Sequence, residues 1–479
     1  MRYIIKLFPE IMIKGAAVKK KMTRQLADNL KRIFAADGLP PNVKWFLDKL
    51  EVEVPDDQVH QAEAILLNTP GIEQVLRVQQ FKVEPTLQAV AERVFEVVAP
   101  RIAGKTFVVR AKRKGQHGFN SQELERWVGG YLNQNAAATG VDLHNPQVRI
   151  ELELENNTLS IVEARLKGLG GFPLGSQGAV LSLVSGGFDS TVASFLSMRR
   201  GLKTHFIFFN LGGTAHEIGV QQVSYYLWRR FGRSHRVKFI AIPFEGVVEQ
   251  LLTRVSDSYM GVMLKRLMLM AAEQVADELG IDALVTGESV AQVSSQTLRN
   301  LALIDAATDK LVLRPLATMD KPEIVRIADE IGTRSFAETM PEYCAVISRN
   351  PVTHGSFRRL AAEAARFDMQ VLEEAVANRR MLSVDELVAS INQRQPVEVV
   401  HEIGPNERVI DIRRPQEVVA SPLPEASCAI PFYELRRRFA ELPQAHTWLL
   451  YCAQGVLSQL HGQHLLDDGF DNIKVYRPK

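Results

Sequence analysis

The sequence predicts a multidomain chain of α+β and α/β class, centred on a doubly wound parallel sheet. Three observations lead there. After residue 178, short apolar runs alternate strictly with amphipathic helical stretches, the pattern of a parallel sheet with helices on both faces. The segments before it mix strands and helices in smaller α+β units. The last stretch, 404–479, reads as a compact α/β unit with strands RVIDIR, TWLLYC and IKVYR.

In chain order, residues 1–80 read strand, helix, strand, helix, strand: YIIKLF, 18–36, WFLDKLEVEV, 57–68 and VLRVQQF. Residues 82–170 give a helix over 86–99, the strand TFVVRAKR, a helix over 121–138, and the strands VRIELELE and TLSIVEARL. The Asn156-Asn157 junction of the last two suits a hairpin. KGLGGFPLGSQG, 167–178, is rich in glycine and reads as a linker. The core strands are VLSLVS, THFIFFN, VKFIAIPF and ALVTGES, with helices over 190–200, 216–231, 244–254 and 258–280. A helical stretch (356–378) and a loose segment (379–403) follow.

At 479 residues the chain has room for about three or four domains. Hydrophobic content of 46% and charged content of 23% are ordinary for a globular protein. No apolar run approaches the roughly 18–20 residues that span a bilayer. Charges interrupt the apolar stretch of MRYIIKLFPEIMIKG, unlike a signal peptide, so the expected location is the cytoplasm. Three cysteines, Cys344, Cys428 and Cys452, do not make a disulfide framework; in a reducing compartment each is buried filler or chemically used.

The net charge of +2 hides an asymmetry: the first fifty residues hold 11 Lys/Arg against 4 Asp/Glu. KKKMTR (19–24) lies on an expected helix, and AKRKGQHGF (111–119) is a second basic cluster. Either alone reads as a solvated face. Together, ahead of a nucleotide-binding turn, they point to a polyanion such as RNA.

That turn lies in LSLVSGGFDSTVASFL, 181–196. It follows a buried strand and precedes a helix, so backbone N–H groups and the helix dipole face an anion. Its glycines permit close approach of a phosphate, and Ser185 and Ser190 add hydroxyl donors. It is not the GxxxxGK[ST] phosphate loop. The string S-G-G-x-D-S resembles the PP-loop of the ATP pyrophosphatase superfamily, which holds the β,γ-pyrophosphate of ATP while a substrate oxygen attacks the α-phosphorus. The resemblance implies ATP contacts from Leu183, Val184, Ser185, Gly186, Gly187 and Ser190. It implies Mg²⁺ arriving with ATP rather than at a separate protein site. Asp189 is then a catalytic residue, as Mg²⁺ ligand or loop orienter; read alone, it caps the following helix.

Further ATP-binding candidates follow. TGESVAQVSSQTLRNL, 286–301, leaves a strand end where open α/β sheets bind ligands, which nominates Gly287 and Gln296. Lys265 sits on a mostly apolar helix, where a charge needs a partner such as phosphate or must snorkel to water. Lys321 stands at a helix start, where the dipole disfavours a cation unless an anion is near.

LLYCAQGVLSQLHGQHLLDDGF, 449–470, is a strand, Cys452, a short loop with Gly455, and a helix. Such a loop aims N–H groups at the sulfur and lowers its pKa. It resembles a rhodanese active loop, whose cysteine carries a persulfide. RVIDIRRPQEV (408–418) matches the rhodanese string D-x-R-x-P-x-E at Asp411, Arg413 and Glu417. Leu457 departs from the arginine many rhodaneses place in the loop, which argues against thiosulfate as donor and is compatible with a protein persulfide donor. Cys344 in MPEYCAVIS then has a use as a second thiol, and Cys428 is assigned to the core.

Taken whole, the chain resembles the bacterial tRNA sulfurtransferase (4-thiouridine synthase) family. The resemblance is strongest in SGGFDST, TGESVAQVSSQT and the Cys344/Cys452 pair. It implies a ferredoxin-like domain over 1–60, a THUMP RNA-binding domain over 61–167, a PP-loop adenylating domain over 168–395 and a rhodanese-like domain over 404–479. Lys112, Arg113, Lys114 and His117 become tRNA-binding candidates. The implied chemistry adenylates uridine 8 of tRNA and replaces its O4 with sulfur from a Cys452 persulfide, loaded by an IscS-type cysteine desulfurase. Cys344 and Cys452 then form a redox disulfide. Relatives also supply sulfur to the carrier ThiS for thiamin thiazole. Cys452 must approach a distant site, which implies domain motion or a homodimer. Three alternatives stay open here: a small-molecule adenylating ligase or amidotransferase, an RNA-binding protein with a degenerate core, and a thiolase acting at another uridine.

Overall fold

The computed structural model describes residues 1–479 other than 41, 212, 340–349, 388–396, 414, 454–457, 459–460, 463–464, 467 and 479. Cys344, Gly455 and Leu457 therefore lie outside the described residues. The chain forms two compact units, Met1–Gly178 with Arg199–Leu202, and Ala179–Met198 with Lys203–Lys479.

The first unit is one mixed sheet of eight strands. These are β1 (Arg2–Leu7), β2 (Val43–Trp45), β3 (Lys49–Glu53), β4 (Ile72–Lys82), β5 (Thr106–Lys114), β6 (Gly140–Val141), β7 (Val148–Glu155) and β8 (Thr158–Gly170). Their order is β2-β3-β1-β4-β8-β7-β5-β6. The antiparallel pair β1/β4 joins strands from either side of residue 60, where the expected domain division falls, so the sheet runs unbroken across it. Strand period 2 sends Tyr3, Ile5 and Leu7 into a core with the helices Ala16–Ala36 and Val59–Leu67. Ile4 points the other way and joins Leu76, Val78 and Val162. The helices Leu87–Ile102 and Ser121–Asn135 cover the other half of the sheet. Each is started by a side chain that satisfies an orphan N–H: Thr86 accepts from Ala89, and Asn120 and Glu123 make a reciprocal capping box.

Two local expectations change. WFLDKLEVEV is not one strand but the hairpin β2/β3, closed by the Phe46 N–H on the Lys49 carbonyl at 2.9 Å. Its turn holds apolar Leu47 beside Asp48, and that apolar residue concealed the break. The start of the glycine-rich segment, 167–170, is the end of β8 rather than linker. At the β7/β8 turn Asn156 adopts φ +53°, a conformation asparagine tolerates.

The second unit holds two sheets. The larger contains β9 (Ala179–Leu183), β10 (Lys203–Asn210), β11 (Lys238–Pro243), β12 (Ala283–Val285), β13 (Leu311–Leu313) and β14 (Arg380–Ser383), in the order β13-β12-β9-β10-β11-β14. Five strands are parallel, the four expected and β13, which was not; β14 adds an antiparallel edge on β11. It comes from the segment read as loose, because RMLS is too short to show a period. The chain winds outward in both directions from β9, so the switch point lies between β9 and β12. The smaller sheet, β15 (Val399–Val400), β16 (Glu407–Asp411), β17 (Ala426–Ala429), β18 (Thr447–Tyr451) and β19 (Ile473–Tyr476), is parallel throughout, in the order β15-β19-β18-β16-β17. It shares a core with the larger sheet's helices: Val223 and Phe336 pack with Ile410, Phe432 and Cys452. The rings of Tyr226, Phe336 and Phe432 follow one another at centroid distances of 5.2 and 5.1 Å. Among the described residues no helix is long and apolar enough to cross a membrane.

Within β10, His205 is 7% exposed and its Nδ1 accepts the Lys238 backbone N–H at 3.1 Å. Burial, with Lys203 and Lys238 nearby, pushes its pKa down to about 4. The unfolded chain binds this proton near pH 6.5 and the folded one only near 4, so stability is full above pH 6.5 and falls as pH drops toward 4. The loss should reach about 3 kcal/mol. Urea midpoints measured from pH 7 to pH 4 should show this decline, and His205→Asn should flatten it.

Candidate functional site

A cavity of about 470 Å³ opens at the carboxyl ends of β9 and β12, beside the switch point. Its floor is the turn between β9 and the helix Phe188–Arg199. Gly186 takes φ +83°, which a side chain would resist, and this bends the strand end into the helix start. Ser190 Oγ accepts the Ser185 N–H at 3.1 Å and donates to the Gly187 carbonyl at 3.3 Å, so the turn is tied to the helix it begins. Leu183, Val184, Ser185, Gly187, Asp189 and Ser190 line the cavity, as do Lys265, Gly287, Gln296 and Lys321. Residues expected from four separate stretches of sequence thus share one space.

Gly287 is required by crowding. A Cβ there would sit 2.5 Å from the carbonyl carbon of Asp189 and 2.6 Å from the Ser190 nitrogen. The TGES segment therefore runs directly against the backbone of the signature turn. Gln296 is buried, and its Oε1 has no hydrogen-bond partner among the described residues. An acceptor left like this costs about 1–3 kcal/mol unless a ligand donor meets it.

The two lysines have different partners. Lys321 begins the helix Lys321–Ile331, capped by Asp320, and its Nζ lies 2.7 Å from Asp189 Oδ1. The anion its position demanded is therefore a carboxylate of the same site. Lys265 pairs with Glu288 at 2.7 Å, and Arg314 meets the same carboxylate at 2.9 Å. Burial pushes the Glu288 carboxyl up, but Lys265 and Arg314 outweigh it and hold it below the usual carboxylate range. Magnitudes separate the two pairs. The half-exposed Lys321–Asp189 contact is worth about 0–1 kcal/mol, so Lys321 can exchange it for phosphate. Breaking the buried Glu288 cluster would cost about 3–5 kcal/mol, so Lys265 stays where it is.

Sequence reasoning did not nominate Glu288, Arg314, His216 or Gln292. His216 is buried with its Nε2 3.1 Å from the Ser185 carbonyl; burial lowers its pKa, and that carbonyl only partly offsets this. The imidazole is thus neutral and donates to the turn. For Glu288 a signal existed, since it adjoins Gly287 in the quoted segment.

In the smaller sheet Cys452 follows β18 and is 6% exposed. The Ser458 backbone N–H donates to its Sγ at 3.3 Å. Asp411 and Arg413 form a buried pair at 2.6 Å, and Arg413 also donates to the Ser421 carbonyl at 2.8 Å. Their shared string therefore braces the strand end. Cys428 is half-buried, and burial pushes its thiol up, in keeping with a core role.

In the first unit the basic cluster lies at the end of β5. Lys114 is engaged by Asp48 at 3.1 Å and Glu155 at 3.3 Å. Arg113 donates to the Gly115 carbonyl and contacts His117 Nδ1 at 3.1 Å, while His117 Nε2 faces the Asn156 carbonyl at 2.8 Å. Lys112 is exposed, and among the described residues no carboxylate lies within ion-pair distance of it. Its ladder neighbour Glu153 is taken by Lys6 at 2.9 Å.

A signature turn lining a cavity at a switch point, in a chain whose N-terminal part forms a separate α+β unit, defines a PP-loop enzyme with an added α+β domain. The comparisons agree. The family Thiamine biosynthesis protein (ThiI) matches residues 175–369, and the THUMP domain family matches residues 84–162. The chain is 46% identical to a tRNA sulfurtransferase of Shewanella amazonensis and 48% to one of Vibrio vulnificus, in both cases over 100% of each chain. It belongs to the bacterial ThiI tRNA sulfurtransferase family, and it is a sulfurtransferase. Its fold is similar to a solved 4-thiouridine synthetase–RNA complex with bound ATP, at TM-score 0.68 and 25% identity, covering 80% of this chain and 99% of that one. PH1313 of Pyrococcus horikoshii shares the fold at TM-score 0.54 and 17% identity, covering 69% and 100%.

Proposed function

We propose that the chain adenylates O4 of uridine 8 in tRNA with ATP and replaces that oxygen with sulfur carried as a persulfide on Cys452, giving 4-thiouridine. The observation that carries this reading is the convergence of Asp189, Lys265, Gly287, Gln296 and Lys321 on the cavity over the SGGFDS turn. The likeness to an ATP-bound, RNA-bound 4-thiouridine synthetase supports the choice of both substrates. Residues 1–60 are assigned as ferredoxin-like, 61–167 as THUMP, 168–395 as PP-loop and 404–479 as rhodanese-like. The parallel C-terminal sheet with Cys452 at a strand end supports the last of these.

In the first step O4 attacks the α-phosphorus, pyrophosphate leaves, and the oxygen becomes part of an AMP leaving group. The turn's N–H groups and Lys321 hold the departing phosphates, and Lys265 is held ready by Glu288. Gln296 Oε1 accepts a donor of the nucleotide. Asp189 keeps lone pairs on both carboxylate oxygens beside its present bonds, so it fits as a ligand for Mg²⁺ brought by ATP. The ion would offset phosphate charge. In the second step the terminal sulfur of the Cys452 persulfide attacks C4 and AMP leaves. Cys344 then attacks Cys452 Sγ, which releases 4-thiouridine and closes a Cys344–Cys452 disulfide for later two-electron reduction. A cysteine desulfurase of the IscS type reloads the thiol, and the same thiol serves the carrier ThiS.

The test combines the protein with unmodified tRNA, ATP, Mg²⁺, cysteine and a cysteine desulfurase. Near-ultraviolet absorbance of 4-thiouridine, confirmed by nucleoside mass spectrometry and dependent on ATP and Cys452, is the expected result. AMP release with another acceptor and no thiolated nucleoside would overturn it.

A narrower prediction concerns the basic cluster. Lys112→Ala should weaken tRNA binding and lower the slope of log K against log salt by about 0.7–0.9. Lys114→Ala should change the slope less, because Asp48 and Glu155 already neutralise that charge. Filter binding from low to moderate salt measures both.

A further inference from the structure

Both oxygens of the Asp189 carboxylate are held. Oδ1 accepts from Lys321 at 2.7 Å, and Oδ2 accepts from Gln292 Nε2 at 2.8 Å. Gln292 is exposed and lines the cavity, so its amide is not there to fill a core. It is delivered by an unusual backbone. Ala291, a residue with a Cβ, adopts φ +66°. Alanine rarely takes this left-handed conformation unless its surroundings impose it, and such positions cluster at functional sites.

The surroundings here are explicit. The Ala291 N–H donates to the Gln296 carbonyl at 2.9 Å, which closes the turn onto the buried residue facing the cavity. The Val290 N–H donates to the Ala317 carbonyl at 3.0 Å, and Ser289 Oγ donates to the Met319 carbonyl at 2.8 Å. The two segments that grip Asp189 are therefore bonded to each other: one carries Gln292, and the other leads into Lys321. They form one clamp around the carboxylate.

We infer that Gln292 is a positioning residue for the adenylation step, holding Asp189 in its working orientation when Lys321 turns from it to the phosphates. The inference rests on the adenylation reading above and adds a residue to it. The weak Lys321–Asp189 pair is the one that yields. Gln292, fixed by the strained turn, retains the other oxygen. A neutral donor suits this duty, since it orients the carboxylate without competing for a cation's charge.

The experiment is steady-state AMP release by the full chain with tRNA, ATP and Mg²⁺. Gln292→Ala should lower kcat about tenfold with KM for ATP changed less than about twofold, the mark of a misplaced reacting group rather than lost binding. Gln292→Glu, equal in size but without the N–H donor, should lose at least as much. In an Asp189→Asn background, single-turnover AMP formation should show no further loss from Gln292→Ala, because the residue acts through Asp189. Wild-type kcat in Gln292→Ala, a rise in KM alone, or full additivity with Asp189→Asn would overturn the inference while wild-type turnover stands. No AMP from the unaltered chain would bring down the adenylation reading and this inference together.

Discussion

Replacing Gly287 by alanine should cut ATP-dependent AMP release about a hundredfold or more while tRNA binding persists. The added Cβ would lie 2.5 Å from the Asp189 carbonyl carbon, 2.6 Å from the Ser190 nitrogen and 2.8 Å from the Asp189 oxygen. All three are backbone atoms at the start of the helix Phe188–Arg199, so no side chain can swing aside to make room. The signature turn or the TGES segment must shift, and Asp189 and Ser190 go with it. A displacement near 1 Å at reacting groups is enough for a loss of this size. The RNA-facing candidates lie in the other compact unit, so affinity for tRNA is a fair control. Quantifying AMP by chromatography, beside filter binding and a thermal melt, checks the claim. Undiminished AMP release would mean that the two segments can part without displacing Asp189 and Ser190, and would overturn the claim.

Cys452→Ser should abolish sustained formation of 4-thiouridine and leave tRNA-dependent AMP formation detectable in a single turnover. A hydroxyl at this position keeps nearly the same size, so the packing with Ile410, Phe432 and Val223 survives. It cannot bear a second sulfur, so the carrier is lost while the adenylating cavity is untouched. Rapid-quench AMP assays and nucleoside mass spectrometry on the same samples separate the two steps. Continued thiolation over many turnovers would move the carrier role to another thiol.

What could be read in advance follows from how far apart the interacting residues are in sequence. The SGGFDS turn was legible because its glycine, hydroxyls and following helix are neighbours along the chain, and its bonds run from Ser185 to Ser190. The need of Lys321 for an anion was legible from the helix dipole alone, although not which anion would meet it. Lys265 was read as a phosphate partner, and its present partner is Glu288. Gln292 escaped notice because it meets Asp189 from 103 residues away, and no local period encodes such a meeting. The break between β2 and β3 and the antiparallel β14 were missed for a related reason: three or four residues are too few to display alternation.

The unbroken eight-stranded sheet of the first unit has a mechanical meaning. Seven inter-strand gaps of about 4.8 Å make the sheet about 34 Å wide measured across its strands, and the pair β1/β4 joins its two halves directly. A pull on one edge is therefore passed to the other strand by strand, through main-chain hydrogen bonds.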